Sequence, residues 1–97
     1  MRAYRVDKNQ KSIVDELRQR GVTVFPTHMV GQGFPDIVCG YRKCNFMFEI
    51  KNPDVPPSDR QLTAAEKIFH FEWRGAVDIV ETSDQAWAII QERTRNQ

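Results

Sequence analysis

The chain has 97 residues, of which 40% are hydrophobic and 28% charged, and its formal net charge is +1. This length and apolar content predict a single domain, residues 1–97, and the small net charge gives no global basic field of the kind that indicates a nucleic-acid partner. No apolar run approaches the roughly 20 residues of a membrane span, and the first ten residues lack a secretory apolar segment, so we expect a cytoplasmic protein without a membrane partner.

The first part of the chain predicts a helix and then a strand. Asp7 and Gln10 have capping-box spacing, and an apolar helical face follows until Gly21, which predicts a helix over about residues 8–20. The next segment, VTVFPTHMV, is rich in β-branched and apolar residues and predicts a strand. Its proline, Pro26, favours an edge position or a bulge.

The middle of the chain predicts a β-hairpin, a loop and a helix. The apolar runs PDIVCG and NFMFEIK are separated only by YRKC, which is typical of a hairpin. The segment NPDVPPSD contains three prolines and is predicted to be a loop. Ser58 and Gln61 repeat the capping-box spacing, which predicts a helix from about Asp59 to Trp73, before Gly75.

The end of the chain predicts a fourth strand, AVDIV, and a last helix that is capped by Thr82 with Gln85. The element order is therefore α-β-β-β-α-β-α, which indicates an α/β fold. Because a helix separates the third and fourth strands, their connection is predicted to be a right-handed crossover. The four-stranded sheet, flanked by helices, should then be mixed.

Three charged residues lie on or beside the apolar strands of the predicted hairpin. Glu49 and Lys51 alternate with Ile50 and so share a face, and the hairpin brings Asp36 beside them. Two carboxylates at that distance repel each other unless a cation or a proton lies between them, and both are the hard oxygen ligands that magnesium prefers. This pattern suits metal-assisted attack of water on a phosphodiester. The alternative is that all three are ordinary strand-edge and turn charges.

The sequence resembles a known family at these residues. The letters PD, twelve residues and then EIK resemble the signature of the PD-(D/E)xK nucleases. The glycine-rich GQGF before them, the proline-rich loop and the second helix after them are similar to the VRR-Nuc branch, especially its small standalone phage and prophage members. The resemblance implies a restriction-endonuclease-like core and a metal-dependent DNA endonuclease that acts on branched or structured DNA, such as four-way junctions, in a bacterial host.

The resemblance also implies roles for individual residues. Asp36 and Glu49 would bind the catalytic Mg²⁺ or Mn²⁺ together with the backbone carbonyl of Ile50, and Lys51 would orient or activate the attacking water. Gln61 matches the glutamine that this branch carries on its second core helix, where it can contact the site. It fits a purely structural role as partner of the Ser58 cap equally well. No organic cofactor is implied.

One position departs from the family pattern. Many relatives carry a glutamate on the first helix that completes the metal shell, and alignment on IVDEL places Gln10 there. An amide oxygen can still bind a metal, but it adds no negative charge. Asp7 and Glu16 are alternatives, although Asp7 fits an N-cap and Glu16 fits an ordinary amphipathic helix. The histidines, His28 and His70, lack partners at ligand spacing and are expected to have packing roles.

The candidate partners are DNA and a second copy of the chain. The candidate DNA contacts are the basic residues near the N terminus and at the hairpin turn: Arg2, Arg5, Lys8, Lys11, Arg42 and Lys43. A homodimer is expected because symmetric cutting of two strands requires two sites related by a two-fold axis. The candidate interface residues are large and apolar, and they can instead pack inside one subunit: Phe46, Phe48, Phe71, Trp73 and Trp87. The alternative function is a catalytically weak nucleic-acid-binding module of a phage complex with the same fold.

Overall fold

Three helices and a four-stranded sheet make up the computed structural model, which describes residues 8–95. In chain order the elements are α1 (Gln10–Gln19), β1 (Thr23–Pro26), β2 (Ile37–Tyr41), β3 (Cys44–Ile50), α2 (Ala64–Glu72), β4 (Asp78–Val80) and α3 (Ser83–Thr94). Short 3-10 turns occupy His28–Val30 and Pro57–Arg60. The predicted order of helices and strands is confirmed. None of the helices in residues 8–95 has the length and apolar character needed to cross a membrane.

The sheet has the strand order β1-β2-β3-β4. Its first three strands are antiparallel neighbours, whereas β3 and β4 are parallel. Since α2 lies between these two parallel strands in the sequence, the mixed sheet and the helical connection between its third and fourth strands are confirmed. The protein is a compact α/β domain.

The core lies on the face of the sheet that α1 and α3 cover. Alternation along β3 directs Phe46, Phe48 and Ile50 into this core, where each is 2% exposed or less, together with Leu17 of α1 and Ile90 of α3. Glu49 and the following Lys51 therefore point to the opposite face of the sheet, the face on the α2 side. Burial of the even-numbered residues on β3 thus fixes where the two charged side chains lie.

The hairpin between β2 and β3 turns through two residues, Arg42 and Lys43. Both have positive φ angles, 51° and 69°, and Tyr41 pairs with Cys44 across the turn. Left-handed conformations at both central positions are typical of the tight type I′ hairpin, whose twist matches that of the strands. The hairpin predicted from YRKC is confirmed, and its register places the start of β2 beside the end of β3.

The predicted start of the second helix is wrong. Residues 57–60 form a 3-10 turn, Gln61 is extended, and α2 begins only at Ala64. The capping box is made by Thr63, whose hydroxyl accepts from the Glu66 N–H, and by Glu66, whose carboxylate accepts from the Thr63 N–H. Both candidate boxes have the same spacing, but a carboxylate is a stronger acceptor than the amide of Gln61.

Of the caps predicted for the first and last helices, the one on α3 is confirmed, and at α1 another residue occupies the N-cap position. Thr82 Oγ1 accepts from the Gln85 N–H at 3.1 Å, so the predicted cap of α3 is confirmed. At α1 the N-cap position is Asn9, and Asp7 lies outside the described residues. The Asn9 side chain does not cap α1 but donates to the carbonyl oxygens of Lys51 and Glu81, at 3.0 and 2.8 Å. It thereby ties the start of α1 to the chain just after β3 and β4.

The strand predicted from VTVFPTHMV is shorter than expected. Strand β1 ends at Pro26, and the remainder of the segment turns away as the 3-10 turn His28–Val30. β1 is an edge strand, as Pro26 favours, because a proline has no N–H to donate to a neighbouring strand.

Candidate active site

Asp36, Glu49 and Lys51 are brought together by the pairing of β2 with β3. The Asp36 N–H donates to the Phe48 carbonyl at 3.0 Å, and the Ile50 N–H donates to Asp36 Oδ2 at 2.7 Å. Two hydrogen bonds to the neighbouring strand thus hold both the backbone and the carboxylate of Asp36. Ile50 itself buries its side chain in the core and contributes backbone to this site.

Glu49 is the most deeply buried charge of the cluster, with 2% of its surface exposed. Its Oε2 lies 3.6 Å from Lys51 Nζ. Its Oε1 is also buried, and within residues 8–95 it has no hydrogen-bond partner. A buried carboxylate oxygen without a donor is unfavourable. The carboxyl groups of Asp36 and Glu66 are within hydrogen-bonding reach of Glu49, so a proton shared with them, or a cation, can compensate for its burial.

The electrostatics of the cluster favour a proton on Glu49. Burial, followed by repulsion from Asp36, raises the pKa of Glu49 to about 10. Burial also raises the pKa of Asp36, although the hydrogen bond from Ile50 opposes the rise. Burial acts in the same direction on Glu66, but hydrogen bonds from Thr63 and Lys51 outweigh it and lower the pKa of that carboxylate. Without a cation, Glu49 thus holds a proton at neutral pH.

Glu66 is a site residue that sequence reasoning missed. Its Oε1 lies 2.9 Å from Lys51 Nζ, and the two side chains are only 17% and 12% exposed. The same oxygen accepts from the Thr63 N–H, so one atom caps α2 and pairs with the lysine. The available signal was the T-A-A-E spacing, which marks a second capping box and would have moved the helix start to this glutamate.

A cleft of about 740 Å³ opens beside this cluster. It is lined by residues just before α1, beside β2, at the end of β3, in the proline-rich loop and around the start of α2: Lys8, Asp36, Glu49, Lys51, Asn52, Asp54, Val55, Asp59, Gln61, Thr63 and Glu66. Five of these are carboxylates and two are lysines, so the cleft is predominantly acidic. A phosphate group entering it would be repelled unless cations accompany it.

The two glutamines have different positions. Gln61 lines the cleft, as the resemblance implies, and its predicted role as partner of a Ser58 cap is wrong because Gln61 is extended. Gln10 is 4% exposed and its Nε2 lies 3.2 Å from His28 Nδ1, so it does not line the cleft. Its Oε1 is buried, and no hydrogen bond to another described residue satisfies it. Gln10 is therefore buried against His28, outside the lining of the cleft, with one unsatisfied oxygen.

Glu16, the alternative acidic ligand on the first helix, is directed elsewhere. Its carboxylate accepts a hydrogen bond from the Ser83 hydroxyl at the start of α3. Asp7, the other alternative, lies outside the described residues. Glu16 thus joins two helices on the core side of the sheet and contributes nothing to the cleft.

The basic residues divide into those near the cleft and those away from it. Lys8 lines the cleft, whereas Lys11 pairs with Asp15 at 2.7 Å on the exposed surface of α1. Arg42 and Lys43 occupy the hairpin turn, which the five residues of β2, roughly 17 Å of extended chain, separate from Asp36. The structure therefore does not bring the hairpin turn to the cleft. Arg2 and Arg5 lie outside the described residues.

The donor set fits a divalent cation with few protein ligands. Asp36 and Glu49 supply hard carboxylate oxygens, one of them buried without a donor, which is the chemistry that Mg²⁺ and Mn²⁺ prefer. No group of three or more His, Cys, Asp or Glu side chains in the described part of the chain is arranged to hold a metal ion. Mg²⁺ commonly keeps several waters and takes one or two carboxylates, so two suffice.

The stability of the metal-free protein should depend on pH because of Glu49. Its pKa rises from an ordinary 4.5 to about 10 on folding, so between these values the folded state binds more protons than the unfolded chain. The free energy of unfolding should therefore fall as pH increases through this range. Urea unfolding in a chelator from about pH 5 to about pH 9 measures the slope. The free energy of unfolding of the Glu49→Gln variant should depend less on pH, whereas the Asp15→Asn variant should behave like the wild type. Equal slopes in the wild type and both variants would contradict a protonated Glu49.

The cluster can thus hold a cation between two carboxylates, with a lysine beside it that a third carboxylate orients. Such an arrangement can position a water and neutralise charge on a phosphate. No family model, curated protein or solved structure matches this chain.

Proposed function

We propose that the chain is a metal-dependent DNA endonuclease with a restriction-endonuclease-like core of the PD-(D/E)xK type, VRR-Nuc branch. The observation that carries the proposal is the convergence of Asp36, Glu49 and Lys51 at one acidic cleft, where Glu49 is buried with an unsatisfied oxygen. A structural cluster of this kind is costly, because burying two carboxylates side by side opposes folding unless a proton or a cation compensates for it.

Asp36, Glu49 and the backbone carbonyl of Ile50 would hold Mg²⁺ or Mn²⁺. When bound, the ion would lower the pKa of a water and neutralise charge on the phosphate. Asp36 is suited to the role because the Ile50 N–H fixes its carboxylate. Glu49 must release its proton for the ion to bind, and so binding should strengthen as pH rises.

Lys51 would hold the attacking water or a phosphate oxygen. Its ammonium nitrogen lies between Glu49 and Glu66, 3.6 and 2.9 Å from their carboxylate oxygens. In the proposed reaction Glu66 is a positioning residue, because it acts through Lys51. Gln61, on the wall of the cleft, would contact the substrate.

DNA would reach the cleft through cations at its rim. Lys8 is the basic lining residue of the described chain that lies outside the carboxylate cluster, and Arg2 and Arg5 precede it in the sequence. The proposed substrate is branched or structured DNA, and the proposed working unit is a homodimer in the cytoplasm of a bacterial host. Binding should weaken as salt increases, in proportion to the number of phosphates contacted.

A nucleic-acid-binding module with weak catalysis is the second candidate. The observation in its favour is that Gln10 bonds to His28 and Glu16 to Ser83, so among residues 8–95 helix α1 adds no third ligand to the cleft. Two carboxylates can hold the ion, but they would bind it more weakly than three.

Incubation with labelled linear, flapped and four-way DNA separates the two candidates. Each DNA is mixed with the protein in Mg²⁺, in Mn²⁺ and in a chelator, and the same series is run with Glu49→Gln. Cleavage that requires the metal and Glu49 supports the nuclease. DNA binding without cleavage in either metal supports the module, and neither binding nor cleavage would exclude both.

A further inference from the structure

Helix α2 is apolar on two opposite sides. On the inner side Phe69 contacts Phe34 edge-to-face at 5.4 Å and stacks on Trp73 at 5.1 Å. On the outer side Ile68 is 57% exposed and Phe71 is 90% exposed. The two outer residues are three positions apart and so lie on one face of the helix.

This outer face has no cover within the described chain. No residue of α2 is buried, although its inner side contacts the loop before β2 and pairs with Lys51. Two large apolar side chains that are this exposed and adjacent on one helix face indicate an interaction surface.

The charged neighbours of this face indicate what covers it. Ile68 and Phe71 occupy the a and d positions of one heptad, and Lys67 and Glu72 then occupy g and e. In a parallel helix pair the g residue of one helix lies beside the e residue of the other, five positions on. Two copies of α2 in this arrangement would place Lys67 against the partner's Glu72 on both flanks. A second copy of the chain would therefore bury the apolar stripe and also pair both charged residues.

We infer that the outer face of α2, formed by Lys67, Ile68, Phe71 and Glu72, is the homodimer interface, with the two α2 helices parallel about a two-fold axis. This inference rests on the proposed function, which includes a homodimer, and it assigns the surface through which the two copies associate. The start of α2 carries Glu66 and borders the cleft, so parallel pairing directs both clefts to the same end of the dimer. Antiparallel pairing would direct them to opposite ends.

Sedimentation equilibrium from micromolar to submillimolar concentration tests the interface. The wild type should approach twice the 11.3 kDa mass of one chain, and Phe71→Asp should remain at the mass of one chain. Phe25→Asp is the matched control, because Phe25 is 70% exposed on β1, outside this face, and this variant should dimerise like the wild type. A monomeric wild type, a dimeric Phe71→Asp variant or a monomeric Phe25→Asp variant would overturn the inference.

Charge reversal tests the orientation of the helices. Lys67→Glu and Glu72→Lys should each weaken dimerisation by up to about tenfold, and the double variant should restore it, since every g–e pair is again opposite in sign. A double variant no tighter than the singles would overturn the parallel arrangement. Mass does not report cleavage, so a monomer that cleaves DNA would refute the interface alone, and a dimer that does not cleave would refute only the nuclease.

Discussion

Replacing Glu49 by glutamine should lower the rate of metal-dependent DNA cleavage at least about a hundredfold and leave the fold intact. Glutamine has the shape of the protonated glutamic acid that the metal-free site contains, so the substitution barely disturbs folding. It cannot become the carboxylate that a divalent cation requires, and the loss therefore falls on metal binding and catalysis. Single-turnover cleavage with saturating protein measures the rate directly.

Asp36→Ala and Lys51→Ala should cause losses of a similar size. Glu66→Gln should cause a smaller loss, about tenfold, because glutamine can keep the capping box but lacks the charge that pairs with Lys51 at 2.9 Å. Asp15→Asn, an exposed change on α1 away from the cleft, is the control and should cleave normally. Glu49→Gln protein that cleaves at the wild-type rate would refute the proposed site.

Gly33→Ala should destabilise the protein far more than Gly21→Ala. Both glycines have left-handed φ angles, 79° and 89°, so both substitutions carry the same conformational strain. A methyl group on Gly33 would lie 2.3 Å from the Ala65 carbonyl oxygen, whereas one on Gly21 would meet no atom within 4 Å. The difference between the two variants therefore isolates the contact between the loop before β2 and the first turn of α2.

The expected difference in the free energy of unfolding is about 1–3 kcal/mol, the usual cost of overpacking. Alternatively α2 moves away and the cost appears at the site, because Glu66 would leave Lys51. Chemical denaturation measures the first outcome and cleavage the second. Equal stability and equal cleavage in the two variants would show that α2 does not depend on Gly33.

Local patterns predicted the sheet and the position of three charges. The apolar alternation of β3 is strong, and pairing within a short hairpin leaves only one register that buries Phe46 and Phe48, so Asp36 had to lie beside Glu49. The same two phenylalanines were candidates for the dimer interface, and that prediction is wrong because they fill the core. Trp87 is also partly buried against Tyr41, which leaves Phe71 and Trp73 exposed.

The surroundings of the charges could not be predicted in this way. Glu66 contacts Lys51 from another element, fifteen residues further along the chain. This contact depends on where the proline-rich loop ends and α2 begins. Gln10 was expected near the metal, but its amide nitrogen lies within hydrogen-bonding distance of His28. His28 belongs to a 3-10 turn, in a segment that was predicted to be a strand. Such contacts depend on tertiary packing, about which helical or strand periodicity carries no information.

The weak anchoring of α2 has a consequence for the order in which the protein loses activity on warming. A helix without a buried residue opens at a lower free energy than the strands that hold Asp36 and Glu49. Opening would remove Glu66 and the cleft wall while the sheet and its two carboxylates remain in place. We therefore expect amide hydrogens of α2 to exchange before those of β2 and β3, and the site to be an assembly that the monomer forms only part of the time. A partner that kept α2 folded against the sheet would then raise activity without contacting a reacting atom.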